Sequence, residues 1–436
     1  MDWKQVYKER LTTAEEAVKH IKNNSTLLLA HACGEPPTLC SAVFANKDQY
    51  ENLEIRHMVR NGPLDFATPG CEKHFRVNPW FAGANNRAAL AEGRGDFTPC
   101  FFHEIPRHIR EGTAKIDVAL IQVSTPDNFG FCSLGVSADY TVQGSRSADM
   151  VIAQVNKNMP RTWGDGLLHV SEFDYIVEAD DNLYEIKPPE IGDVEKAIGE
   201  HCASLIEDGS TLQLGIGAIP DAVILFLGDK KDLGIHSEMI SDGTLDLYNR
   251  GVITGKKKVD GNGKMTVSFL MGTRKLYDFA DDNPALEMRV VDYVNHPIVI
   301  ARQYKMVSIN SAIQVDMQGQ IDAEAIGLRQ FSGIGGQVDF VRGASMAEDG
   351  KAIIAMPSVT VKKDGTIISK IVPFLDQGAP VTTSRCDAGY LVTEYGIAEL
   401  KGKTLRQRAR NLIAIAHPDV KDPLIEEFEK RFSEKF

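Results

Sequence analysis

Ser210-Thr-Leu-Gln-Leu-Gly-Ile-Gly-Ala-Ile-Pro220 is the stretch that decides the fold. A short apolar-rich run breaks at Gly215 and Gly217. Pro220 then opens Asp221-Ala-Val-Ile-Leu-Phe226, which reads as a helix, and proline is preferred in a first helical turn. A helical pattern over residues 195–206 comes before the run. The whole block is therefore helix, polar turn, strand, glycine loop, helix. The same order occurs once before: a helical pattern over 14–21, Ser25-Thr-Leu-Leu-Leu29, a loop with Gly34, and Pro36 at the next helix start. Each block is followed later by a buried-looking strand, Val118-Ala-Leu-Ile-Gln-Val123 and Ala352-Ile-Ile-Ala-Met356. Strands alternating with helical patterns predict an α/β fold of two similar open α/β domains with largely parallel sheets. Ligands favour inter-domain clefts, so the active site is expected in the crevice between the two.

Residues 179–193 carry adjacent Pro188 and Pro189, a glycine and clustered charge, as a linker does. The expected domains are 1–189 and 190–436. A strand–turn–strand signal surrounds Met317-Gln-Gly-Gln320. Residues 423–436 read as an amphipathic helix, with Leu424, Phe428 and Phe432 on the packed face.

Three segments carry candidate chemistry, all in the second half. Leu233-Gly-Ile-His-Ser-Glu-Met-Ile-Ser-Asp-Gly243 puts Glu238 where an apolar run gives way to small and polar residues. A carboxylate at a strand end is held firmly and faces the loops where α/β proteins keep ligands. It can cap a turn or pair with a lysine; it can also attack an acyl group. Gly215 and Gly217 free backbone N–H groups to approach a phosphate, a carboxylate or an oxyanion, though an ordinary strand–helix turn would use them too. Pro220 replaces the third glycine of G-x-G-x-x-G, which argues against a dinucleotide site. Phe331-Ser-Gly-Ile-Gly-Gly-Gln-Val-Asp-Phe340 has three glycines in four residues, suited to a ligand loop or a plain bulge.

Composition narrows the classes. The chain has 436 residues, beyond the size at which single cores stop growing. It is 43% hydrophobic and 25% charged, which leaves no case for disorder. A net charge of −12 argues against nucleic acid as partner and requires a local basic patch for any phosphate-bearing ligand. The seven cysteines form no C-x-x-C pair, and the histidines do not cluster at ligand spacing, so neither a disulfide framework nor a metal site is expected. Met1-Asp-Trp-Lys-Gln-Val resembles neither a signal nor a transit peptide, and no apolar run reaches the length of a membrane span. A cytoplasmic protein without membrane partners is expected.

The segments QLGIGAIPDAV, GIHSEMISDG, FSGIGGQVDF and VTEYGIAELKGK, followed by IAIAHP, resemble the acetyl-CoA hydrolase/transferase family of class I CoA-transferases. His103-Glu-Ile-Pro106 and Ser124-Thr-Pro-Asp-Asn-Phe-Gly-Phe-Cys-Ser-Leu-Gly-Val-Ser137 extend the resemblance through the first half. The likeness is greatest to the family's 4-hydroxybutyrate branch. It implies an enzyme that moves CoA between 4-hydroxybutyryl-CoA or butyryl-CoA and acetate, with Glu238 as nucleophile and a glutamyl-CoA thioester as intermediate. Gly215, Gly217, Ala218, Ile219 and Pro220, and Gly335, Gly336 and Gln337, would surround the thioester. Lys370 would serve the CoA phosphates. The first half, through Pro36, Pro37, Pro106 and the 124–137 loop, would wall the acyl pocket.

The residue inventory fits that chemistry. A carboxylate is already ionised at neutral pH, so no general base is needed, while each tetrahedral oxyanion needs backbone donors. Coenzyme A and acyl-CoA enter as substrates, alongside short carboxylic acids, with no permanently bound cofactor. A homodimer or higher homo-oligomer is expected. Two other readings remain at this stage: an acyl-CoA hydrolase using the same glutamate, and a non-catalytic CoA or nucleotide binder.

Overall fold

The computed structural model describes residues 2–63 and 65–436; Met1, at the head of the opening stretch, and Leu64 lie outside the described residues. Two compact units emerge: Met1–Lys187 with Thr266–Val294, and Pro188–Met265 with Asn295–Phe436.

The first unit is built on a six-stranded sheet of β1 (Thr26–Leu29), β2 (Leu53–Arg56), β3 (Phe75–Val77), β4 (Val118–Val123), β5 (Met150–Asn156) and β6 (Tyr175–Ala179). Their order is β3-β2-β1-β4-β5-β6, and every pairing is parallel. Strands covered on both faces read as continuous apolar runs. β4 is buried along its whole length. Leu27, Leu29, Ile55, Leu120 and Ile152 share one core cluster with Leu39 and Val43 of α1 (Pro37–Ala45). Burying a side chain of that size contributes roughly 1.5–3 kcal/mol. Further along the unit lies α2 (Ile105–Arg110).

Segment 266–294 belongs to this first unit, so the single cut expected at residue 189 does not hold there. Its backbone is bonded into the unit: Leu270 N–H donates to Val136 O, Met288 N–H to Trp163 O and Ala138 N–H to Ser268 O. These are long-range bonds, and nothing in the local composition of 266–294 announces them.

The second unit opens with α3 (Asp193–Ser204), then β7 (Thr211–Leu214), α4 (Ala218–Leu225) and β8 (Gly234–Ile235). β9 (Met306–Asn310), α5 (Gln337–Met346), β10 (Lys351–Ala355), β11 (Tyr390–Thr393) and β12 (Gly396–Glu399) follow. The sheet order is β8-β7-β9-β10-β11-β12, with only β12 antiparallel to its neighbour. The predicted repeat is thus real at the level of topology. In each sheet the chain starts in the middle, adds strands to one side, then crosses to the other. The point of reversal lies between β1 and β4 in the first sheet and between β7 and β9 in the second. Open α/β sheets bind ligands outside the carboxyl ends of the strands at such a point.

The terminal helix α6 (Lys421–Phe432) buries Leu424 and Phe428, as its spacing predicts. Gln314–Asp316 pairs antiparallel with Ile321–Asp322 around the predicted turn. Among the described residues no disulfide forms and six of the seven cysteines are buried. No described helix is long and apolar enough to cross a membrane.

Candidate active site

β7 ends at Leu214 and the chain turns through Gly215, Ile216 and Gly217 into α4. Gly217 has φ of +114°, a conformation that L side chains rarely adopt, so this turn requires glycine. The turn lines a cavity of about 350 Å³ whose walls are Gly215, Ile216, Gly217, Ala218, Ile219 and Pro220 on one side and Ile309, Asn310 and Ser311 at the end of β9 on the other, with Glu195. The cavity therefore sits at the strand-order reversal of the second sheet. Gln213 and Asn310 exchange amide hydrogen bonds there: Asn310 Nδ2 donates to Gln213 Oε1 at 3.0 Å, and Gln213 Nε2 donates back to Asn310 Oδ1 at 3.4 Å. That pairing satisfies two polar side chains on neighbouring strands and ties their carboxyl ends together.

Glu238 stands three residues beyond the end of β8, on the same carboxyl edge. Its neighbour Ser237 is buried; Ser237 Oγ donates to Leu214 O at 3.1 Å, so the glutamate's backbone is moored beside the start of the glycine turn. The half-buried Glu238 accepts a hydrogen bond at Oε2 from Asn295 Nδ2 at 3.0 Å. Asn295 is fully buried. A carboxylate acceptor makes such a bond charge-assisted and so stronger than a neutral one.

The second glycine loop closes on the same carboxylate. A Cβ on Gly336 would stand 2.0 Å from Glu238 Oε2 and 2.3 Å from Asn295 Nδ2. Any larger residue there would force the Glu238 carboxylate and the Asn295 amide to shift. Gly335, with φ of +55°, makes the preceding bend, and Gly336 is the residue on which α5 begins. The carboxylate consequently lies at the N-terminal end of a ten-residue helix, where backbone N–H groups point outward and negative charge is favoured.

The predicted residues fall into two groups. Glu238, Gly335 and Gly336 are brought together directly. Gly215, Gly217, Ala218, Ile219 and Pro220 line the cavity at the β7–α4 turn, whose lining does not include Glu238. Gln337 begins α5, but its side chain turns to Thr383, donating from Nε2 to Oγ1 at 3.3 Å. Lys370 lies apart, between the short strands Ile367–Ser369 and Ile371–Val372, and does not line the cavity. Burial lowers its pKa, with nearby Glu394 opposing the shift. Glu394 itself accepts from Ser358 N–H at 2.8 Å and Ser358 Oγ at 2.5 Å. In the first unit, Pro36 and Pro37 lie where the chain enters α1 after β1, and Ser124 directly follows β4. Both are at the reversal point of that unit's own sheet. Pro106 is buried in the first turn of α2.

Sequence reasoning missed Asn295 and Asn310. Asn310 follows the buried apolar run of β9, a position with a local signal. Asn295 had none: Val294-Asn-His-Pro297 reads as a plain helix start, and its contact with Glu238 spans 57 positions.

The family model of the acetyl-CoA hydrolase/transferase N-terminal domain matches residues 1–187, and that of the C-terminal domain matches residues 272–428. The chain is 59% identical to 4-hydroxybutyrate coenzyme A transferase of Clostridium kluyveri, covering 99% of this chain and 100% of that one. It is 38% identical to butyryl-CoA:acetate CoA-transferase of Anaerostipes caccae, covering 99% and 98%. The crystal structure of a 4-hydroxybutyrate CoA-transferase from Porphyromonas gingivalis superposes with a TM-score of 0.84 at 40% identity, covering 99% and 100%.

Proposed function

Because this chain belongs to the acetyl-CoA hydrolase/transferase family, we propose that it is a CoA-transferase exchanging CoA between 4-hydroxybutyryl-CoA or butyryl-CoA and acetate, with Glu238 as nucleophile. The observation that carries the reading is the setting of Glu238. One carboxylate is pinned by Asn295 at the carboxyl edge of a parallel sheet, with the glycine backbone of α5's first turn packed on it, and the β7–α4 turn on the same edge lines a cavity.

The steps balance without base, metal or redox partner. The Glu238 carboxylate adds to the thioester carbonyl; the tetrahedral intermediate expels CoA thiolate and leaves a mixed anhydride. The thiolate then attacks the glutamyl carbonyl, releasing the first acid as its carboxylate and forming glutamyl-CoA. Acetate reverses both steps and departs as acetyl-CoA. Each addition creates an oxyanion. Backbone N–H groups of Gly335 and Gly336 are suited to receive it, a contribution of roughly 2.7–4 kcal/mol for one such donor in other enzymes. Asn295 fixes one carboxylate oxygen, so the attacking geometry is prepared rather than searched for.

The test is isolation of the intermediate. Enzyme incubated with butyryl-CoA alone and reduced with borohydride should carry its modification on the peptide containing Glu238, and steady-state kinetics should be ping-pong. A modification on another residue, or kinetics requiring both substrates bound together, refutes the assignment.

A further inference from the structure

The first unit gathers Cys100, Glu104 and His108 so that one ligand atom of each lies within 4.8 Å of the others. They come from one stretch, spaced four residues apart across a 3-10 turn (Phe102–Glu104) and α2. We propose that these three side chains form a binding site for a divalent cation of borderline softness, such as Zn²⁺, with an open fourth position.

Hydrogen bonding decides which histidine nitrogen faces the cluster. Thr113 has one hydroxyl proton, and its Oγ1 donates to His108 O at 3.1 Å. The same oxygen lies 2.9 Å from His108 Nδ1, so donation to His108 O leaves it to accept from Nδ1–H. With Nδ1 engaged by Thr113, Nε2 is the ring nitrogen that faces the cluster. That nitrogen lies 4.0 Å from Glu104 Oε2. The two atoms face each other at a distance too long for a hydrogen bond, and a cation between them would bind the carboxylate and the neutral imidazole together. Glu104 is oriented from behind: Arg107 Nη2 donates to the other oxygen, Oε1, at 2.7 Å. Fixing a ligand through its second atom is how proteins orient metal-binding histidines and carboxylates.

Cys100 supplies the soft donor. It is buried, with its thiol directed to Phe101 O at 3.2 Å. Binding would exchange the thiol proton for the metal: the S–H bond breaks, a metal–sulfur bond forms, and one proton passes to solvent. Zinc takes N and O donors at ~2.0–2.2 Å and thiolate at ~2.3 Å, so tetrahedral ligands stand about 3.4–3.7 Å apart. The cluster needs to close by about 1 Å, within reach of side-chain rotation. Three protein ligands leave the fourth position for water or a small anion. Nothing in the proposed transfer reaction uses this site, so the proposal stands or falls apart from it.

Cobalt is the probe. Chelator-treated full-length protein titrated with Co²⁺ should take up one equivalent with a thiolate-to-metal charge-transfer band, and Zn²⁺ should displace it. Cys100→Ser should abolish the band, and His108→Ala should weaken binding at least tenfold. Thr113→Val removes no ligand but takes away the hydroxyl that holds His108 Nδ1, and should weaken binding ~10–100-fold. Circular dichroism confirms that each variant is folded. The absence of a band in the folded wild type overturns the site. So does a band that survives Cys100→Ser, which would place the metal on another thiol such as the exposed Cys386.

Discussion

Replacing Gly336 by alanine adds a single methyl group at the place where backbone and nucleophile are closest. Gly336 has φ of −94° and ψ of 2°, which any residue can adopt, so the backbone itself is not strained by the change. The whole cost is steric. The new Cβ would meet Glu238 Oε2 at 2.0 Å, whereas ordinary contact begins near 3.4 Å. The carboxylate must retreat by about 1.4 Å, or α5 must shift by as much. The Glu238–Asn295 bond lies beside the same Cβ and cannot survive that movement unchanged. Rotating Glu238 off its rotamer costs about 0.5–1.5 kcal/mol, so the protein should remain folded. A misplacement of about 1 Å in a reacting group costs ~10²-fold in rate, equivalent to about 2.7 kcal/mol of barrier. Gly336→Ala is therefore expected to lower kcat by two orders of magnitude or more, with a loss of unfolding free energy of at most about 1.5 kcal/mol. The assay pairs butyryl-CoA:acetate exchange kinetics with urea unfolding. A kcat within threefold of wild type would refute the placement of this turn against the nucleophile, and an activity loss tracking a collapse in stability would refute the steric argument.

Other expectations follow from the same geometry. Asn295→Ala removes the bond to Glu238 Oε2; a hydrogen bond to a charged group is worth roughly 1.5–3 kcal/mol, so kcat should fall about 10–150-fold, and near-normal turnover would show that the bond is not used. Gly217→Val forces a β-branched residue to φ of +114° and should weaken acyl-CoA saturation, read as a rise in KM; an unchanged KM would separate this turn from the CoA site. Burial, with the Asp322 carboxylate near it, pushes Glu324 up to about 7 from an ordinary carboxylate value. The folded state thus holds this proton over a window, from about 4.5 to about 7, in which the unfolded chain releases it. Stability should therefore fall as pH rises through that window and level off above it, by at most about 3 kcal/mol. Urea unfolding of wild type and Glu324→Gln between pH 4.5 and 8 checks this, since a difference independent of pH would contradict it.

Much of this protein was legible in the chain because its signals are local. The strand at Thr211–Leu214, the glycine turn and the helix at Ala218–Leu225 follow from short-range rules on apolar runs, glycine and proline. So does the earlier copy of that block at Thr26–Leu29 and Pro37–Ala45, and its repetition was enough to predict two parallel α/β sheets. Glu238 could be singled out because a strand end is visible in composition. The rest depended on long-range hydrogen bonds and packing, which leave no periodic trace. Segment 266–294 reads like any other stretch of the second half, yet its backbone donors and acceptors are satisfied in the first unit. The fold alone decided that Asn295, distant in sequence, holds the carboxylate, and that Gly336 has no side chain because Glu238 occupies the space one would fill. Lys370 marks the opposite limit. Its charge suggested a phosphate contact, but whether a lysine is solvated or buried is a property of its neighbours in space, and burial here lowers its pKa.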